Sequence, residues 1–123
     1  MVVYCKIKGH PLERFLLRST MRERVIIKWG GGLITDKSSL CTPDLEILEH
    51  LAQTIATCQT QEIDVVLVHG AGSFGHLRAK HWRLNEGILP NEVFGNDDIC
   101  SSQQEAVRQV RKEMLQLNAH VCE

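Results

Sequence analysis

The sequence lacks any long apolar run and any excess charge of one sign. No stretch of its 123 residues approaches the roughly 18 apolar residues that indicate a membrane-spanning helix. The formal net charge is −1, so the chain as a whole is not a polycation of the kind that binds nucleic acid. These absences predict that neither a membrane nor a nucleic acid is a partner. The apolar fraction of 43% and the charged fraction of 24% are typical of a globular protein with one core.

Cysteine and histidine patterns typical of metal sites are also missing. The five cysteines are widely spaced, and neither C-x-x-C nor H-E-x-x-H occurs. An odd number of cysteines at such spacings disfavours a disulfide framework and a cysteine zinc site. We therefore expect reduced thiols and a cytoplasmic protein, and no side chain is predicted to be a metal ligand.

Basic residues are concentrated at the beginning of the chain. Residues 1–24 contain six lysines and arginines and two glutamates, a net charge of +4, and the remainder carries a net charge of −5. The first strand-like segment begins only after Met21. We expect residues 1–21 to form a basic extension that need not be ordered, and residues 22–123 to form the folded unit.

Apolar periodicity predicts alternating strands and helices. A β-branched segment at 25–28 and a nearly continuous apolar segment at 64–68 are typical of buried strands. Between them, residues 43–58 have apolar side chains at helical spacing, with Thr42 as the expected N-cap and Pro43 at the first helical position. Strands that alternate with helices indicate an α/β fold with a parallel sheet.

The second half of the sequence contains two further predicted helices. A helical pattern covers residues 73–82, a turn-rich loop covers 85–100, and Ser101 or Ser102 is expected to cap a last helix. Glu105 would complete a capping box there. Because two strong strands are too few for a self-sufficient sheet and the sequence ends within a predicted helix, we expect a truncated part of a larger α/β domain.

A glycine-rich loop follows each predicted strand: the first glycine loop comprises residues 30–32 and the second glycine loop comprises residues 70–75. Glycine leaves backbone N–H groups accessible and lets a phosphate approach the main chain. Loops at the carboxyl ends of neighbouring parallel strands face one crevice, where open α/β sheets bind ligands. Lys28, Lys37 and His76 flank the loops and can neutralise phosphate charge. Two facing phosphate-binding loops indicate phosphoryl transfer between two phosphorylated ligands.

Two other phosphate-binding motifs fit less well. Residues 70–75 also match G-x-G-x-x-G, the dinucleotide-binding fingerprint, which needs an acidic residue at the end of the next strand about 20 residues on. Glu92 lies near that spacing, but in a loop of Pro, Asn and Gly with no strand before it. The P-loop pattern G-x-x-x-x-G-K-[ST] does not occur, which excludes a P-loop protein.

Three segments together resemble one known family. The segments KWGGGLITDK at 28–37, HGAGSFGH at 69–76 and LNEG at 84–87 are similar to those of isopentenyl phosphate kinases, a branch of the amino acid kinase superfamily. The resemblance covers residues 22–123 and implies the N-terminal, acceptor-binding portion of a three-layer αβα sandwich with a mainly parallel open sheet. It further implies transfer of the γ-phosphoryl group of ATP to isopentenyl phosphate with Mg²⁺, giving isopentenyl diphosphate.

The resemblance also implies roles for residues of the first glycine loop and its flanks. Lys28 and the backbone N–H groups of the loop would hold the ATP phosphates. The glycines concerned are Gly30, Gly31 and Gly32. Lys37 would assist the phosphoryl group during its transfer.

Further roles fall on the second glycine loop. The backbone of Ala71 would face isopentenyl phosphate, and that of Gly72 would face the nucleotide phosphates. His76 would hydrogen-bond the acceptor phosphate and fix it for in-line attack, without acting as a covalent nucleophile. An apolar slot for the isoprenoid tail is expected from Phe74 together with a stripe on the last helix. That stripe consists of Val107, Val110 and Met114.

Two other functions stay open on the sequence alone. A different kinase of the same superfamily, such as a fosfomycin-type kinase, would share both glycine loops, and a non-catalytic fragment would also bind phosphorylated ligands. The resemblance implies that the sequence does not include the nucleotide-binding half of the family's fold. We therefore expect the chain by itself to be inactive or a very weak kinase unless a second chain completes it, and a homodimer is left open.

Overall fold

The computed structural model describes residues 23–90, 94 and 98–123. The predicted basic extension, residues 1–21, lies outside the described residues, and so does Glu92. Within the described ranges, no helix is both long enough and apolar enough to cross a membrane.

Two parallel strands form the sheet. β1 (Arg24–Trp29) pairs with β2 (Asp64–His69) in continuous register, from Arg24 opposite Asp64 to Trp29 opposite His69. The helix between them, α2 (Leu45–Thr60), packs against β2. This strand–helix–strand unit confirms the predicted α/β class with a parallel sheet. Because both strands end at the same edge of the sheet, the two glycine loops begin side by side.

The helix α2 begins two residues later than its sequence predicts. Asp44, and not Thr42, is the N-cap, and its carboxylate accepts a hydrogen bond from Ile47 N at 3.1 Å. Pro43 instead forms an antiparallel bridge with Thr35. The prediction is wrong here because a pairing between two segments overrides the local helix signal.

Both glycine loops contain a short helical turn. The first leads directly into α1 (Gly31–Ile34), and the second contains a 3₁₀ turn (Gly72–Phe74) followed by α3 (His76–His81). The helix predicted at 73–82 is therefore divided at Gly75, whose backbone is not helical, with φ −157° and ψ −36°. The side chains that the helical pattern assigns to a single helix are thus divided between a 3₁₀ turn and a separate α-helix.

The last helix, α4 (Gln103–Cys122), begins with the predicted serine N-cap, and Glu105 closes the capping arrangement on Ser101, one residue before the N-cap Ser102. The Ser102 hydroxyl accepts a hydrogen bond from Glu105 N at 3.3 Å. The Glu105 carboxylate accepts in turn from the backbone N and the hydroxyl of Ser101, at 2.8 and 2.7 Å. Both serines named by the sequence therefore take part, one as the N-cap and one as the partner of the glutamate.

The core joins both strands to α1, α2 and α4. Its main cluster of buried side chains consists of Trp29, Ile34, Leu48, Ile55, Leu67, Phe74 and Leu117. A smaller cluster of Trp82, Cys100 and Ala106 packs the end of α3 against the start of α4. Both clusters are built from residues between Trp29 and Leu117.

The cysteines of the described residues differ in state. Cys41, Cys58 and Cys100 are free thiols. Burial, and then the negative charge of Asp98, raise the pKa of the Cys100 thiol, as suits a packing residue rather than a reactive one. Cys122 is disulfide-bonded, so the expectation that all cysteines are reduced is wrong at this position, where spacing along the sequence is no guide to pairing.

A buried ion network connects α3 to α4. Arg78 donates from Nε to Glu113 Oε1 at 2.9 Å and also pairs with Asp98. Trp82 Nε1 donates to the same Asp98 carboxylate at 2.5 Å. Burial alone would raise the pKa of Asp98, but the hydrogen bonds from Arg78 and Trp82 outweigh it and lower that pKa from 3.8 to about 2. The network holds α3, and hence its first residue His76, against the rest of the fold.

Candidate functional site

The two glycine loops pack directly against each other. A Cβ atom at Gly31 would lie 2.1 Å from Gly72 N, and one at Gly70 would lie 2.6 Å from Gly31 N. Such distances are too short for a real Cβ atom, so the two backbones can pack this closely only because both positions are glycine. Gly70 N also donates to Trp29 O at 2.9 Å, which continues the strand pairing into the loops.

Gly72 is the turn that brings the second glycine loop against the first. Its φ of +50° lies in the left-handed region that side chains with a Cβ rarely adopt. A Cβ there would also meet Thr35 Oγ1 at 2.1 Å and Gly31 O at 2.4 Å. Conformation and lack of space therefore both require glycine at this position.

Two buried hydroxyl side chains connect these loops to the segment that follows α1. Thr35 Oγ1 donates to Gly31 O at 2.7 Å and accepts from Ser73 N at 2.9 Å. Ser73 Oγ accepts from Thr42 N at 3.2 Å. Thr35 is 4% exposed and Ser73 is 1% exposed. The sequence gives neither residue a predicted role, because Thr35 and Ser73 lie 38 residues apart and Ser73 and Thr42 lie 31 residues apart along the chain.

A cleft of about 410 Å³ opens where the two glycine loops meet. Its lining consists of Gly31, Gly32, Lys37, Ala71, Gly72, His76 and Leu77. All of these except Leu77 belong to the site predicted from the sequence, so the fold brings six of the predicted residues to one place. Leu77 follows His76 on α3, and helical periodicity alone does not distinguish it from a core residue.

Three predicted site residues lie outside this lining. Lys28 is exposed on β1, opposite Val68, and Gly30 is exposed immediately before α1. Phe74 is 2% exposed and belongs to the core, where its ring packs edge-on against His120 with the ring centroids 6.1 Å apart. Its side chain therefore does not face the cleft.

The stripe on α4 does not supply the predicted apolar slot either. Met114 is 2% exposed, and Met114 and Val110 pack against Gly75, where a Cβ would meet their side chains at 3.6 and 3.3 Å. Val107 is partly exposed, and none of the three lines the cleft. Val110 and Met114 pack against the second glycine loop instead, as an ordinary helix-to-loop contact. Leu77 is the large apolar side chain that the lining does contain.

The charge of the cleft favours anions. Lys37 and His76 are its ionisable side chains, and no carboxylate occurs among the described residues that line it. Lys37 lies over the first glycine loop, since a Cβ at Gly32 would meet Lys37 Cε at 2.1 Å. The N–H groups of Gly31 and Gly32 belong to the first turn of α1 and have no acceptor within that helix. Amide groups and a lysine around an open cleft are suited to binding phosphate.

The side chains of the cleft do not fit a protein-bound magnesium ion. Across the residues that the structure describes, no group of three or more His, Cys, Asp or Glu is placed to hold a metal. Asp36, next to Lys37, accepts hydrogen bonds from Ser38 N and Ser38 Oγ at 2.8 and 2.7 Å, and these lower its pKa. Mg²⁺ usually combines one or two carboxylates with substrate phosphates. The lining offers no carboxylate, so we assign no magnesium ligand and derive no step through the ion.

Comparison with known proteins identifies the family. The sequence profile of the amino acid kinase family matches residues 23–122. The chain belongs to this family. It is 31% identical over 100 residues to the isopentenyl phosphate kinase of Methanothermobacter thermautotrophicus, a match that covers 80% of this chain and 35% of that protein.

Two further members of the family are also similar. The isopentenyl phosphate kinase of Methanocaldococcus jannaschii is 36% identical over 69 residues, covering 50% of this chain and 26% of its own length. That of Thermoplasma acidophilum is 32% identical over 71 residues, covering 58% of this chain and 28% of its own length. The chain thus spans about a third or less of the curated relatives it matches. The resemblance to isopentenyl phosphate kinases drawn from the three sequence segments is confirmed.

Proposed function

We propose that this chain forms the phosphate-binding cleft of a kinase that transfers the γ-phosphoryl group of ATP to isopentenyl phosphate. The observation that carries the proposal is the convergence of two glycine loops, Lys37 and His76 on one cleft. Membership of the amino acid kinase family supports phosphoryl transfer. The names of the three relatives support isopentenyl phosphate as the acceptor.

In this proposal the two glycine loops divide the cleft between two ligands. The N–H groups of Gly31, Gly32 and Gly72 hold the nucleotide phosphates, and the backbone of Ala71 faces the acceptor. Lys37, which lies over Gly32, stabilises the phosphoryl group during transfer. ATP supplies that group when it is bound. Positioning and charge stabilisation of this kind account for most of the catalysis in phosphoryl transfer.

His76 holds the acceptor phosphate for in-line attack. An oxygen of the acceptor phosphate forms the new bond to the γ-phosphorus while the bond to the bridging oxygen of the leaving ADP breaks. The attacking oxygen is already anionic near neutral pH, so His76 acts as a hydrogen-bond donor and no strong general base is needed. Lys28 lies outside the cleft lining, and we propose that it contributes positive charge towards ATP from the end of β1.

Replacement of His76 tests the acceptor side of the cleft. His76→Ala is expected to weaken isopentenyl phosphate binding about 10- to 100-fold, because a hydrogen bond to a charged group contributes about 1.5–3 kcal/mol. His50→Ala is the matched control, since His50 is an exposed histidine on α2 that does not line the cleft. Titration calorimetry with isopentenyl phosphate measures both. Unchanged affinity in His76→Ala would remove His76 from the site.

The proposed function itself is tested with the unmodified chain. We expect isopentenyl phosphate to bind, and any ATP consumption to depend on it in a coupled assay. Binding is the more direct readout, because the chain matches about a third of its relatives' length and its turnover is expected to be weak. Failure to bind isopentenyl phosphate, together with no ATP consumption that depends on it, would overturn the proposal.

A further inference from the structure

The geometry points to Thr35 as a positioning residue that holds the two glycine loops together and thereby shapes the phosphate-binding cleft. This inference deepens the proposed function and rests on it, because it assumes that the cleft binds phosphate. Thr35 itself does not line the cleft. Its effect is therefore exerted through Gly31 and Ser73, the residues that its hydroxyl contacts.

The Thr35 hydroxyl acts as both donor and acceptor. It gives its proton to Gly31 O in the first glycine loop at 2.7 Å, and it receives the N–H of Ser73 in the second at 2.9 Å. The contact with Ser73 is buried, since Thr35 is 4% exposed and Ser73 is 1% exposed, and the contact with Gly31 O is partly buried. A hydroxyl is the side-chain group that donates and accepts at one atom. Valine has nearly the same shape but satisfies neither partner.

The shape of Thr35 also complements the glycine opposite it. A Cβ at Gly72 would meet Thr35 Oγ1 at 2.1 Å and Thr35 Cγ2 at 2.8 Å. Thr35 therefore fills the space beside Gly72 that a side chain on the second loop would need. Because a β-branched side chain is stiff about χ1, its two branches are held in one orientation against that loop.

The backbone of Thr35 is itself anchored. Thr35 forms an antiparallel bridge with Pro43, and Asp44 N donates to Ile34 O at 2.9 Å. The same returning segment holds the second glycine loop, where Cys41 N donates to Ser73 O at 3.3 Å. The second loop is thus held by several contacts of this segment, whereas Thr35 is the residue whose side chain links it to the first loop. Loss of the hydroxyl removes that link and leaves the buried N–H of Ser73 and the partly buried carbonyl of Gly31 without this partner.

Two substitutions separate the hydroxyl from the shape of the side chain. Thr35→Val keeps the branched shape and removes the hydroxyl, and Thr35→Ser keeps the hydroxyl. Thr57→Val is the matched control. Thr57 Oγ1 makes the same contact with the carbonyl four residues earlier, Gln53 O at 3.0 Å, but on the exposed face of α2.

Amide hydrogen exchange and ATP binding are then measured on each variant. In Thr35→Val we expect the Ser73 amide to exchange about 5- to 100-fold faster and ATP affinity to fall about tenfold, as follows from the usual cost of an unsatisfied buried group. Thr35→Ser should restore both to within about threefold of the unmodified protein, and Thr57→Val should change neither. A purely structural role would instead lower stability and leave ATP affinity unchanged.

Several results would overturn the inference. Thr35→Val with unchanged Ser73 exchange and unchanged ATP affinity would do so, as would a Thr35→Ser variant that behaves like the valine variant. If Thr35→Val does not fold, the test uses the unmodified protein and Thr35→Ser, which both keep the hydroxyl. Rapid exchange of the Ser73 amide in either protein would contradict the proposed link. If the unmodified protein does not bind ATP while Ser73 exchange follows the expected order, the proposed function fails and the link between the loops stands.

Discussion

Gly31→Ala should abolish ATP binding and destabilise the fold by about 3 kcal/mol, whereas Gly30→Ala should leave both nearly unchanged. The Cβ added at Gly31 would lie 2.1 Å from Gly72 N and 2.7 Å from Gly72 Cα. These are backbone atoms of the opposite loop, so no side-chain rotation relieves the contact. Alanine is favoured over glycine in a helix by about 1 kcal/mol, but this gain is smaller than the cost of separating two packed backbones.

Gly30 makes the comparison a matched one. A Cβ at Gly30 has nothing within 4 Å, and its φ of −63° and ψ of 135° suit alanine. Restricting the unfolded chain at such a position is neutral or slightly stabilising, by about 0.4–1 kcal/mol. Urea denaturation gives the stability change and calorimetry with ATP gives the affinity. Equal behaviour of the two alanine variants would show that the loops do not pack as described.

Arg78→Met should destabilise the protein by about 3–5 kcal/mol, the usual cost of removing one partner from a buried ion pair. The Arg78 side chain is 5% exposed, and the Glu113 and Asp98 side chains are 2% and 12% exposed. Methionine replaces most of the volume but leaves two carboxylates without their counter-charge. Because the pair fixes α3 against α4, His76 at the start of α3 should lose its fixed position, and isopentenyl phosphate affinity should fall as well.

Arg83→Met provides the control with the same chemical change. Arg83 pairs with Glu86, donating from Nε at 2.9 Å, but both side chains are more than 40% exposed. Exposed ion pairs contribute little because water screens them, so the denaturation midpoint should stay close to that of the unmodified protein. A midpoint for Arg78→Met no lower than that for Arg83→Met would contradict the buried network.

Local patterns were sufficient to predict the elements that frame the cleft. The strands at β1 and β2 have apolar runs, and glycine loops at neighbouring strand ends must face one crevice whatever the rest of the chain does. The capping box of α4 is likewise a local signal, since Ser101, Ser102 and Glu105 contact one another within a single turn. Each of these predictions depends on residues that are close in sequence or on one rule of sheet geometry.

The parts that sequence reasoning missed depend on contacts between distant segments. Pro43 bridges to Thr35, and the N-cap of α2 is Asp44 instead of Thr42. The hydroxyl of Thr35 accepts a hydrogen bond from Ser73 N, 38 residues further along the chain. The periodicity of apolar residues does not predict a contact of this kind. Phe74 belongs to the second glycine loop, yet its ring is directed into the core. Motif position identified the loop correctly but did not determine which way each side chain points.

The most direct test of the account is an NMR titration of the unmodified, ¹⁵N-labelled chain with ATP. The central claim is that two loops from separate strands form one phosphate-binding cleft. We expect the amide signals of Gly31 and Gly32 in the first loop and of Gly72 in the second to shift together, along one binding curve with one dissociation constant. Shifts confined to one loop, two different dissociation constants, or no shift in either loop would contradict it.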